Sequence, residues 1–288
     1  MSSALQQEEM VKYRRYSAVF SRNTFNNVLR YDDYSKIDYL LNHYRHKRVD
    51  TYSDYLKYLY GEILKRYKCE YVYKNEIINQ LLIGMFAQES TVAISEFHVG
   101  NSIVDFAMFN GESKAFEIKT ELDSPRRLWS QMSDYTRLFQ KCYVVVPYVR
   151  VEEYERLIGE AIGIITMDEV GGKGRLSVFR EARTKDTISS DLVMSSCRSA
   201  EYQSIIEIYY GELPRVTCFE MYDECKKMMA GIPDKELQQL FLHEIEKRKN
   251  CSRWMKEIPA PLRQMFLSMN LNRKQSECLI GKFNKIIS

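Results

Sequence analysis

The sequence predicts an α/β protein, a mixed β-sheet flanked by helices, with further helices at both ends. Three observations carry that prediction. Residues 10–68, and the chain after about residue 189, space apolar and aromatic side chains three and four apart, the period of a helix face. Between them, TVAISEFHV (91–99), SIVDFAMF (102–109) and KAFEIKTE (114–121) read as short strands, separated by Gly100-Asn101 and Asn110-Gly111, both strong turn dipeptides. KCYVVVPY (141–148) is almost wholly apolar, the mark of a strand covered on both faces.

The elements follow in order. YDDYSKIDYLLNHYRH (31–46) and TYSDYLKYLYGEILKRY (51–67) are helical, with Asp32 or Asp33 and Ser53 or Asp54 as expected N-caps. Their tyrosines, at helical spacing, form a packing face. KNEIINQLLIGMFAQ (74–88) is an amphipathic helix with Ile77, Ile78, Leu81, Leu82 and Met85 on one side. After the three strands, Asp123-Ser124-Pro125 opens a helix reaching about Phe139, with Ser124 or Asp123 as cap and Pro125 in the first turn. The strand 141–148, a helix over EEYERLIGEAI (152–162) and strands at GIITMD (163–168) and RLSVFRE (175–181) complete an order α-β-β-β-α-β-α-β. That order implies an antiparallel meander leading into a parallel crossover. The chain divides into a helical N-terminal region (1–70), a sheet-bearing core (71–189) and a helical C-terminal region (190–288).

Composition narrows the class. No run approaches the roughly 18 apolar residues of a membrane span, and the N-terminus lacks a secretory pattern. Seven scattered cysteines form no C-x-x-C pair, which points to reduced thiols in a cytoplasm. The net charge of +3 is uneven: residues 1–68 and 215–288 are each +5, leaving −7 between them. Basic flanks around an acidic centre suit a nucleic-acid enzyme with a carboxylate metal site.

The chemistry lies in three charged residues set in apolar strands. Side chains alternate along a strand, so Glu117 and Lys119 point one way while Phe116 and Ile118 pack the other. Asp105 sits between Val104 and Phe106, and a hairpin turning at Asn110-Gly111 brings it beside Glu117. Two facing carboxylates repel unless one takes up a proton or a cation joins them. A hard divalent ion such as Mg²⁺ is held by one or two carboxylates plus waters and phosphate. An ammonium beside it can orient the attacking water and stabilise charge on phosphorus.

These residues resemble the PD-(D/E)xK nuclease superfamily. Gln131-Met-Ser-Asp-Tyr135 matches the Q-x-x-x-Y element of its RecB-like members. The run E-I-K-T-E-L-D-S-P-R-R-L-x-S-Q-x-x-D-Y is similar to the sce7726 family of uncharacterised bacterial proteins. The resemblance covers about residues 74–148. It implies a restriction-endonuclease-like core, α-β-β-β-α-β, with helical N- and C-terminal additions. It further implies hydrolysis of DNA phosphodiesters by metal-activated water, with Mg²⁺ as cofactor and Mn²⁺ as a substitute. Asp105, Glu117, the Ile118 backbone carbonyl and Glu76 would hold the metal, and Lys119 would position the nucleophile. Gln131 and Tyr135 would brace the lysine or touch the substrate. Arg126, Arg127 and Arg137 are expected phosphate contacts. No iron–sulfur cluster is expected, because Cys69 and Cys142 alone lie near the core. The basic run Lys247–Lys256 is read as a joint between helices with Trp254 packed inside. DNA is the expected partner, RNA is left open, and the helical flanks offer a surface for a protein partner. A second reading is a catalytically silent nuclease-like fold that binds nucleic acid or protein, in phage defence or on a mobile element.

Overall fold

The computed structural model describes residues 3–44, 48–85, 91–171, 173–248 and 251–287. Four helices open the chain: α1 (Ser3–Val19), α2 (Arg22–Tyr31), α3 (Ser35–His43) and α4 (Tyr52–Arg66). Their caps differ from those expected. Asp32 ends α2 in the left-handed region (φ 52°), and Asp33 accepts the Ser35 N–H from one turn position further on. Thr51 caps α4 by accepting the Asp54 N–H, while Ser53 is buried within the helix. Arg45 and His46 of the expected helix lie outside the described residues.

Helix α5 (Glu70–Glu76) begins four residues earlier than expected and continues as a π-helix over Ile77–Met85. Ile77, Ile78, Leu81 and Leu82 are buried, as their spacing required. Phe86, Ala87, Gln88 and the Met85 side chain lie outside the described residues.

Six strands form one sheet in sequence order: β1 (Val92–Val99), β2 (Ser102–Phe109), β3 (Ser113–Ile118), β4 (Lys141–Pro147), β5 (Gly163–Val170) and β6 (Lys173–Arg180). The first three are antiparallel, β3–β4 and β4–β5 are parallel, and β6 returns antiparallel. Gly100 (φ 56°) and Gly111 (φ 80°) make the two expected turns, where a side chain would be strained. Between β3 and β4 run a 3₁₀ turn over Pro125–Arg127, capped by Ser124, and helix α6 (Leu128–Tyr135). Helix α6 stops four residues before Phe139. Helix α7 (Val151–Leu157) joins β4 to β5. The chain ends in α8 (Ser190–Ser196), α9 (Ser199–Tyr210), α10 (Met221–Met229), α11 (Asp234–Glu246), α12 (Arg263–Met269) and α13 (Arg273–Phe283).

Alternation along the strands builds a core on each face. Phe106, Phe116, Ile118, Tyr143 and Val145 pack against α1–α5 and the segment from Met255 to Phe283. Val104, Ala115, Val144 and Val146 pack against α6 and α8–α11. The result is three layers, α/β/α, in which the terminal helices share cores with the sheet. Tyr13, Tyr16, Tyr55, Tyr60 and Tyr73 are buried in the first core, so the tyrosine-rich N-terminus is a packing face. Trp254 is half-buried against the same core, in a 3₁₀ stretch over Cys251–Glu257. Lys249 and Asn250 of the basic run lie outside the described residues. Asn75 ties α5 to the C-terminal segment, donating to the Ala260 carbonyl and accepting the Gln264 N–H.

Candidate active site

The β2–β3 ladder pairs Phe106 with Phe116, so the next pair along, Asp105 and Glu117, stand opposite each other. Burial of Phe116 and Ile118 on the other face turns Glu117 and Lys119 toward α6. Asp105, Glu117, Ile118, Lys119, Gln131 and Arg127 all line one cleft of about 690 Å³.

Helix α6 fixes the geometry. Gln131 and Tyr135 lie four residues apart on one helical face. The Tyr135 hydroxyl lies 2.9 Å from Glu117 Oε2 and 2.7 Å from the Ile103 carbonyl, sharing its one proton between these two acceptors. Lys119 Nζ donates to Glu117 Oε1 at 2.7 Å and to Gln131 Oε1 at 3.1 Å. Glu117 is 2% exposed, yet both its oxygens are satisfied. Asp105 Oδ2 accepts the Ile118 N–H at 2.8 Å. Its own side chain, 21% exposed, reaches the cleft. Burial, and then the Glu117 charge beside it, push the Asp105 carboxyl up to about 7. Burial, then Glu117, likewise push the Tyr135 phenol up, so it stays a donor.

Glu76 is not in this cleft. Its carboxylate is held by the Tyr60 hydroxyl (2.5 Å), Asn79 (3.1 Å) and Gln80 (2.6 Å), beneath Gly174 of β6. The reason is helical phase. At 3.6 residues per turn, Glu70 and Lys74 share the face turned to the cleft, and Glu76 lies about 200° from Lys74. The helix therefore brings Glu70 and Lys74 to the site. Lys74 Nζ is 2.5 Å from Glu70, 3.4 Å from Asp105 and 4.0 Å from Glu96. Burial acts to lower the Lys74 pKa, but Asp105 and Glu70 outweigh it and raise it.

The arginines separate. Arg127 lines the cleft, Arg126 is exposed on the preceding turn, and Arg137 reaches back to Ser189 at the start of α8. Three further residues come to the site unforeseen: Glu70, Glu96 and Trp129, the last 77% exposed on the rim.

Among the described residues no three His, Cys, Asp or Glu side chains form a ready-made metal cage. Mg²⁺ does not require one, since two carboxylates with waters and phosphate suffice. Asp105 and Glu117, opposed and lining a polar cleft, are a donor set of that size, and burial, followed by the Glu117 charge, disfavours the charged form of Asp105 in the absence of a cation.

Residues 64–286 match the family model described as bacteriophage P4 protein cII. Protein cII of enterobacteria phage P4 is 22% identical over 186 residues, 64% of this chain and 65% of that protein, so the chain spans somewhat less than two thirds of its relative. A protein of unknown function from Silicibacter pomeroyi aligns over 46% of this chain and 86% of its own, at 15% identity and a TM-score of 0.29. Among the described residues no helix is long and apolar enough to cross a membrane.

Proposed function

The chain belongs to the bacteriophage P4 protein cII family, and we propose that it is a Mg²⁺-dependent nuclease of restriction-endonuclease-like fold that hydrolyses DNA phosphodiesters. One observation carries this reading. Asp105, Glu117 and Lys119, drawn from two adjacent strands, meet in one open cleft, with Lys119 tied to both Glu117 and Gln131.

The residues divide the work. Tyr135 and Lys119 fix both oxygens of Glu117, so its lone pairs point predictably. Gln131 holds the Lys119 ammonium at the cleft wall, where it can donate to a water or to a non-bridging phosphate oxygen. Arg127 offers a phosphate contact, and Trp129 on the rim offers a face on which an unpaired base can stack. Held by Asp105, Glu117 and the Ile118 carbonyl, Mg²⁺ would supply Lewis-acid stabilisation of the charge that builds on phosphorus.

The test is a panel of linear and circular, single-stranded and duplex DNA, and RNA, incubated with Mg²⁺ or Mn²⁺. Lys119→Ala should lower cleavage by about 10²-fold or more. If no substrate is cleaved by the parent chain and spared by Lys119→Ala, the nuclease reading fails. The Lys74 ammonium 3.4 Å from Asp105 favours a second reading, a silent fold that binds nucleic acid or protein and supplies its own cation. That protein would give no Mn²⁺ titration signal dependent on Asp105 and Glu117.

A further inference from the structure

Three acids lie in a row across the sheet. The β1–β2 ladder pairs Ser95 with Phe106 and Phe97 with Val104, and skips the pair between them, Glu96 and Asp105. Asp105 in turn stands opposite Glu117. Like charges directly opposite on neighbouring strands repel. The chain relieves this at Glu96, whose φ of 60° is the left-handed conformation that residues with a side chain rarely adopt. Such local strain concentrates at functional sites.

The kink places the Glu96 carboxylate 2.8 Å from the Arg22 guanidinium at the start of α2. Both side chains are about half exposed, at 50% and 48%. An ion pair in that setting is weak and exchangeable. Arg22 and Glu96 border a second recess of about 350 Å³, whose walls include Ser21, Gln264 and Ser268. The recess adjoins the cleft, sharing Glu70, Lys74 and Glu96 with it. Gln264 pins the far wall to β1 through the Ser95 hydroxyl at 3.1 Å.

We propose that this recess is a second subsite of the substrate groove, in which Arg22 binds a backbone phosphate next to the one at Asp105 and Glu117. Glu96 is the resident anion that the phosphate displaces. A guanidinium suits this exchange because its planar fork fits carboxylate and phosphate alike. The N-terminal helices thereby contribute directly to nucleic-acid binding. The inference rests on the nucleic-acid reading of the cleft.

The experiment measures binding of a labelled single strand and the matching duplex by fluorescence anisotropy, with Ca²⁺ in place of Mg²⁺, over a range of salt. Arg22→Ala should weaken binding about fivefold and reduce the salt slope by about one, as the loss of one phosphate contact requires. Arg22→Lys should retain part of the affinity. Glu96→Gln should tighten binding, since it removes the competing anion. Opposite signs from the two halves of one ion pair are what a structural salt bridge cannot give. Melting curves for each variant establish that it is folded. If the parent chain binds and Arg22→Ala binds equally, the subsite is refuted while the cleft reading stands. If Glu96→Gln weakens binding, the displaced-anion assignment is refuted. If the parent chain binds neither oligonucleotide, the nucleic-acid reading fails and the subsite with it.

Discussion

Glu76→Ala separates structure from site most cleanly. On the sequence expectation Glu76 is a metal ligand, whereas in the structure it is a buried acceptor for three side chains. The Tyr60 hydroxyl at 2.5 Å and the Gln80 amide at 2.6 Å are its short bonds. Hydrogen bonds to a charged acceptor contribute about 1.5–3 kcal/mol each, and a buried donor left unpaired costs on a similar scale. Gln80 keeps a second acceptor, the Gly174 carbonyl, but the Tyr60 hydroxyl, buried in the first core, loses the acceptor of its proton. The loss should total about 3–4 kcal/mol. At roughly 2–4 °C per kcal/mol for a large domain, the melting temperature should fall by about 6–16 °C. Differential scanning fluorimetry measures that fall, and Mn²⁺ titration at a temperature where the variant is folded should match the parent chain. Glu70→Gln should do the reverse, because its side chain is 57% exposed: little change in melting, altered behaviour of the cleft. A Glu76→Ala variant that melts with the parent chain yet loses Mn²⁺ binding would refute this assignment and restore Glu76 to the site.

Trp129→Ala should leave melting unchanged, since the indole is 77% exposed, and should weaken single-strand binding by about 1–3 kcal/mol if a base stacks there; anisotropy reads the change. Gly163→Ala should destabilise by about 1–3 kcal/mol, because a Cβ there would lie 2.4 Å from the Tyr143 ring and 2.8 Å from the Ala182 nitrogen; urea melts test it. Arg248 donates twice to Glu201, at 2.7 Å each, in a pair about 12% exposed. Removing it by Arg248→Ala should cost about 3 kcal/mol. Burial alone would raise the Glu201 pKa, but Arg248 and the Arg198 N–H outweigh it and lower it. Stability from this pair is therefore present above the ordinary glutamate range and lost as pH falls through the lowered folded value. The gap between the parent chain and Arg248→Ala should close in acid melts.

Legibility in the sequence followed from how local the cause is. Asp105, Glu117 and Lys119 stood out because charge in apolar strands is costly without a purpose, and turn dipeptides fixed the hairpin that joins them. The Gln131 and Tyr135 pair came from the resemblance to the Q-x-x-x-Y element, and helical spacing accounts only for their sharing one face. The helix acid was not legible. Its facing depends on which side of α5 the tertiary packing turns to the cleft, the Glu70 and Lys74 side rather than the Glu76 side, and that choice leaves no pattern in KNEIINQLLIGMFAQ. Trp129 did leave one: Leu128, Met132 and Tyr135 are buried at positions i, i+4 and i+7, and 129 falls off that stripe. Glu96 became visible only through its positive φ and its place opposite Asp105, since a glutamate within TVAISEFHV reads as an ordinary solvent-facing residue.

Compensation of charge, more than the number of acids, identifies where a cation is wanted. Lys114, on the same strand as Glu117 and 4% exposed, shares Glu112 with Lys141, each at 3.0 Å, so there two cations meet one carboxylate. Across the site each acid of the row has its own cation: Arg22 for Glu96 at 2.8 Å, Lys119 for Glu117 at 2.7 Å, and Lys74 for Asp105 at 3.4 Å. The last is the loosest, because Lys74 sits closer to Glu70. Asp105 is thus the least compensated acid, and its carboxyl rises to about 7 through burial and Glu117. A group held this way destabilises the fold when charged. Asp105→Asn should accordingly stabilise the chain at pH 8, by up to about 4 kcal/mol, the free energy of a rise from the ordinary aspartate value to about 7 that already includes the attraction to Lys74. Mn²⁺ should stabilise the parent chain and leave Asp105→Asn unmoved. An Asn variant that melts lower than the parent at pH 8 would mean that Lys74 already neutralises Asp105 in full, and the cleft would then have no electrostatic call for a metal.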